Sequence, residues 1–118
     1  MLTYRIDESR DTILVQFSEK LTDEDIVSRF EEILANPAFN RPFRVLVDAL
    51  TLEGVDVSTP TMVSLADRMR GDARFLRIAI VTENLVIIGL ARMLTLLDEA
   101  RELQTFATQS EAEAWIAG

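Results

Sequence analysis

Asp48, Glu53, Asp56, Ser58 and Thr59 stand close together near the middle of the chain, and they are the first residues whose types and spacing could do chemistry. Asp48 closes an apolar, strand-like segment, Phe43-Arg44-Val45-Leu46-Val47. The other four lie in a turn-rich stretch, Ala49 to Val57, and at the start of a helical pattern reaching about Arg70. In sheets crossed by helices, ligands gather beyond the carboxyl ends of strands, which is where this order puts Asp48 and Asp56. Two converging carboxylates could hold Mg²⁺ through oxygen, or split their pKa values for acid and base work. The plainer reading makes them ordinary turn and cap residues. Ser58 or Thr59 at a helix N-terminus could carry phosphate or face an anion, although the strong preference of hydroxyl residues for caps favours a capping role.

The rest of the composition narrows the chemistry. Neither His nor Cys occurs, which removes disulfides, thiol nucleophiles, Ser-His-Asp arrangements and nearly all zinc sites built on imidazole or sulfur. The four glycines, Gly54, Gly71, Gly89 and Gly118, are scattered and form no phosphate-binding loop. A net charge of -8 repels a phosphate backbone or an anionic lipid surface, so nucleic acid is not an expected partner. The one basic cluster, Arg68, Arg70, Arg74 and Arg77, could hold an acidic partner or a phosphorylated ligand. Two of its members fall in the last turn of the helical pattern, where positive charge suits the dipole without any ligand.

These residues need elements to position them. Alternation over Leu2 to Ile6 and over Thr12 to Phe17, around a charged turn, predicts a β-hairpin. Thr22 with Asp25 forms a capping box, and Leu21 with Ile26 a hydrophobic staple, opening a helix with the stripe Ile26, Phe30, Ile33, Leu34 that stops at Asn36-Pro37. A second helix starts at Ser58-Thr59-Pro60, presents Met62, Leu65, Ala66 and Met69, and ends near Gly71. Arg77 to Val81 reads as a strand in which Ile78, Ala79, Ile80 and Val81 are apolar on both faces, as an interior parallel strand requires. A third helix is expected over Leu85 to Glu102 with Asn84 as cap, then an edge strand over Leu103 to Phe106. A last helix opens at the box Ser110-Glu111-Ala112-Glu113 and is anchored by Trp115 and Ile116. The order β-β-α-β-α-β-α-β-α over residues 1–118 describes one α/β domain with a mixed, mostly parallel five-stranded sheet and four helices.

Phe43-Arg-Val-Leu-Val-Asp48, Arg77-Ile-Ala-Ile-Val-Thr82, Gly89-Leu-Ala-Arg-Met93 and Ser110-Glu-Ala-Glu-Ala-Trp-Ile116 carry a resemblance over nearly the whole chain. It resembles the STAS-like, or SpoIIAA-like, bacterial proteins, and in particular a stand-alone STAS/SEC14-like subgroup. The resemblance implies a SpoIIAA-like βα superhelix and a regulatory module that works through protein contacts, with no catalytic residue and no cofactor. In the regulatory members a phosphorylatable Ser sits in an Asp-Ser-Ser-Gly type motif where the loop after the central strand enters the next helix. Here that place reads Asp56-Val57-Ser58-Thr59, so Val57 takes the position of that Ser and no Gly follows.

The third helix is apolar nearly all the way round its first three turns, more than one buried stripe needs. The surplus must be covered by neighbours, a partner or a ligand, and burying two further Leu or Ile side chains contributes roughly 3 to 6 kcal/mol. If the helices mostly share one side of the sheet, Leu14, Leu46, Ala79 and Val81 need cover on the other. A homodimer would supply that cover, so self-association through the third helix or the open sheet face is expected. Alternatively, Met62, Val86, Ile87, Leu90, Met93 and Leu94 could line an interface or a pocket for a small apolar ligand of the SEC14-like kind. No basic start followed by an apolar core opens the sequence, and no apolar run is long enough to span a bilayer, so the expected setting is cytoplasmic.

Overall fold

The computed structural model describes residues 1–118. Strands β1 (Leu2–Asp7) and β2 (Thr12–Thr22) form the expected hairpin, with Leu2, Tyr4 and Ile6 opposite Phe17, Val15 and Ile13 on one face. Helix α1 (Asp23–Ala35) opens on the predicted capping box. The Thr22 hydroxyl accepts the Asp25 N–H, and the Asp25 carboxylate accepts the Thr22 N–H in return. Then follow β3 (Phe43–Asp56), α2 (Thr59–Arg70), β4 (Phe75–Val81), α3 (Leu85–Leu97), β5 (Glu102–Phe106) and α4 (Gln109–Ala117). The five strands lie in sequence order, with β1 antiparallel to β2 and the rest parallel. This is the mixed α/β architecture anticipated, with β3 at its centre.

Three expectations need correction. The stretch from Ala49 to Val57 is no turn-rich loop: β3 continues through it to Asp56, paired with a β2 that itself runs on to Thr22. The break in alternation that suggested a loop is an irregularity in the ladder. The pairing slips between Gln16 and Ser18, opposite the point where the Asp48 carboxylate accepts the Leu50 N–H. Glu19, with a left-handed backbone (φ 56°), marks the second slip. Helix α3 ends at Leu97 instead of near Glu102, because Asp98 turns inward to meet Arg101. Helix α4 is capped two residues earlier than Ser110: the Thr108 hydroxyl accepts the Glu111 N–H and donates to its carboxylate.

The core has two layers. Ile13, Val15, Val45, Val47, Ile78 and Ile80 face α1, α2 and α3 on one side of the sheet. On the other side Ala112 and Ile116 of α4 pack on Leu46, Ala79 and Val81, with Leu14, Phe106 and Trp115 around them. The chain's own last helix thus covers Leu46, Ala79 and Val81, where a second subunit had been expected. Leu14, toward the hairpin, stays half-buried.

Candidate functional site

The acidic and hydroxyl residues at the centre of the sequence do not converge. Asp48 and Asp56 stand eight residues apart along β3, on the order of 25 Å at about 3.3 Å per residue. Each has its own local partner: Asp48 holds the Leu50 N–H at 3.0 Å, and Asp56 lies 3.8 Å from the Lys20 ammonium. Extension of β3 also removes Asp48 from a strand end and places it mid-strand. No paired-carboxylate site is assembled.

Ser58 is the N-cap of α2. Its hydroxyl accepts the Thr61 N–H, Thr59 and Pro60 follow as the first helical residues, and Thr59 is exposed. The Ser58 N–H is itself taken by the Asp23 carboxylate at 2.7 Å, which ties the start of α1 to the start of α2. A phosphate on Ser58 would face that carboxylate, so the attraction of the helix terminus is opposed at close range. The Ser58 N–H, aided by the Ser58 and Thr61 hydroxyls, holds the Asp23 carboxyl below its ordinary value of 3.8. Because the folded value is the lower one, this contact stabilises the fold above the unfolded value and fades as pH falls through the folded value. Melting temperatures taken from pH 6 down to pH 3 should therefore show Asp23→Asn less stable than wild type at the neutral end. The two curves should converge on the acid side, and parallel curves would refute the contact.

The basic cluster is fully engaged within the chain. Arg68 pairs with Glu31. Arg70 reaches Asp67 at 2.8 Å and the Leu97 carbonyl, Arg74 clasps Asp72 at 2.6 Å, and Arg77 holds Glu102 at 2.7 Å and the Trp115 carbonyl. These arginines are used as clamps between elements.

Helix α3 divides the six apolar residues singled out from sequence into two sets. Met62, Ile87, Leu90 and Leu94 line a cavity of about 150 Å³ between the sheet and α1 to α3. Twenty of its twenty-one lining residues are hydrophobic and the other is Arg29. Val86 is instead 55% exposed and Met93 half-buried. With Leu85 at 81% and Leu96 at 75%, they form an uncovered apolar strip along the outer side of the helix. Sequence reasoning missed Asp98 and Arg101, which fasten the far end of α3. Arg101 donates to the carbonyls of Met69, at 2.7 Å, and Phe75 while pairing with Asp98. No Gly or Pro marked that helix end, and only the (i, i+3) Asp-Arg spacing could have signalled it.

A mixed sheet in sequential order, with three helices on one face and a closing helix on the other, defines a small α/β protein of the SpoIIAA type. The SpoIIAA-like family model matches residues 12–117, and the chain belongs to that family. A solved relative in fold is an uncharacterised protein from Shewanella loihica with a SpoIIAA-like fold. It is 22% identical, with a TM-score of 0.65, and the alignment covers 98% of this chain and 93% of that one. At that identity the likeness speaks for the fold. No curated protein matches. No helix is long and apolar enough to cross a membrane.

Proposed function

We propose that this chain is a non-enzymatic interaction module of the SpoIIAA-like kind, which meets a protein partner through the outer side of α3 and lacks the standard phosphorylatable serine. The observation that carries this is the exposure of Leu85, Val86 and Leu96 on a helix with no acidic residue, in a chain of net charge -8. Contiguous uncovered apolar surface of this kind marks contact sites. Divergence of Asp48 and Asp56, and Val57 in place of the serine, support a role without chemistry. A photo-reactive side chain introduced at Leu85 or Leu96 should give covalent adducts with a polypeptide, whereas the same group at Glu113 on α4 should give none. Absence of polypeptide adducts from both α3 positions would overturn the reading.

A second reading, that the chain holds a small apolar ligand, is favoured by the cavity. Its lining is apolar apart from Arg29, and its volume is about 150 Å³. Dry apolar cavities of that size accept benzene-sized molecules. Benzene or xenon should therefore raise the melting temperature of the protein, and native mass spectrometry should find a bound hydrophobe after gentle purification. No shift with either probe, together with a bare mass, would remove this reading.

A further inference from the structure

Gly89 lies in the middle of α3, where glycine is a poor helix residue because it adds no side-chain packing and loses the most backbone freedom on folding. Its own chain gives no reason for it. The helix imposes no left-handed conformation there, and a Cβ added at Gly89 would meet nothing within 4 Å. Its position on the outer face is central. At 3.6 residues per turn, Leu85, Val86, Arg92, Met93 and Leu96 all point within about 60° of the Gly89 direction. Ile87 and Ala91, on the opposite side, are buried. The smallest residue therefore sits at the middle of the uncovered apolar strip, where a missing side chain allows another backbone to approach closely.

We infer that the occupant of this strip is the α3 helix of a second copy of the chain, crossing antiparallel about a two-fold axis at Gly89. The inference rests on the proposed use of the outer side of α3 and supplies the partner. A two-fold axis at that residue makes positions equally spaced before and after it meet across the interface. Leu85 then lies against Met93 of the other copy, and Val86 against the stem of Arg92. Arg92 and Glu83 are both exposed, and neither forms an ion pair within its chain. Glu83 lies just ahead of the Asn84 cap, at the same end of α3 as Val86. In this arrangement the Arg92 head of one copy therefore comes toward Glu83 of the other, and two complementary pairs flank the apolar centre. Antiparallel helices also set opposite dipole ends together. Because α3 carries no carboxylate, two chains of charge -8 can approach there without acid meeting acid.

Sedimentation of the full chain from about 1 to 200 micromolar should show a monomer giving way to a dimer. Gly89→Leu should weaken that association at least tenfold while the dilute monomer melts no lower than wild type, since the new side chain enters open space on a helix it favours. Arg92→Glu should weaken it too, and the double exchange Glu83→Arg with Arg92→Glu should restore it. A wild-type chain that stays monomeric throughout, or a dimer indifferent to Gly89→Leu, overturns the inference. Leu85→Glu separates this from the parent reading. If it dissociates the dimer and Gly89→Leu does not, the face is right and the crossing wrong; a dimer that survives Leu85→Glu uses another surface. Adducts from Leu96 to a different polypeptide, with a monomeric wild type, would leave the interaction module standing and remove the second copy as its partner.

Discussion

Arg101→Met should destabilise the fold by about 3 to 5 kcal/mol, because it leaves the Asp98 carboxylate, only 7% exposed, without its counter-charge. The same change strips the buried Phe75 and Met69 carbonyls of a shared donor, so three elements lose one clamp: the end of α2, the start of β4 and the end of α3. Calorimetry should register the loss as a fall of roughly 10 to 20 °C at about 3 to 4 °C per kcal/mol for a domain of this size. Removing both partners is expected to be gentler than removing one. Asp98→Asn with Arg101→Met should recover part of the loss, since the isolated buried charge goes with it. A double variant as unstable as the single one, or a single variant within about 1 kcal/mol of wild type, would show that the pair is solvated in solution.

How far the sequence reveals this structure depends on how local the determining forces are. The Thr22-Asp25 box, the Asn84 cap and the alternation of Ile13, Val15 and Phe17 are short-range events legible from neighbouring residues, whereas the cap of α2 was narrowed only to Ser58 or Thr59 and the structure takes Ser58. The length of β3 was not legible, because Thr51 to Asp56 is held by pairing with Ser18 to Thr22 across the α1 crossover, after a slipped register that disguises its period. Two cap-like sequence patterns overlap at the start of α4, Thr108 with Glu111 and Ser110 with Glu113. The choice between them falls to Ala112 and Ile116, which must reach Leu46, Ala79 and Val81 across the sheet. The same tertiary choice covered the far face that otherwise called for a second subunit. The excess apolar character of α3, by contrast, was legible and survives as exposed surface, since no other element of the chain covers its outer side. Sequence could not divide that excess between cavity and surface: helical phase became usable only once Ile87 and Ala91 were known to face inward.

Phe39 was invisible for a related reason: it lies between α1 and β3, outside any periodic segment, yet it is 1% exposed. Its ring stands 5.0 Å from that of Phe75 and 5.7 Å from that of Phe43, with the Arg74 guanidinium 4.2 Å above it. Arg74 also donates to the Phe39 carbonyl at 2.7 Å while clasping Asp72, so the ring is pinned by its backbone as well as by its faces. Phe39→Ala should therefore cost about 3 to 5 kcal/mol in chemical denaturation, from lost burial and an uncollapsed cavity. Phe39→Leu, which keeps most of the volume, should cost less than about 2 kcal/mol. A loss below about 1 kcal/mol for the alanine variant would mean that the loop repacks and the cluster is not a fixed part of the core. Because Phe39 takes no part in the outer strip of α3, either variant should self-associate like wild type wherever it remains folded. A joint loss of stability and association at temperatures well below melting would tie the aromatic cluster to the position of α3.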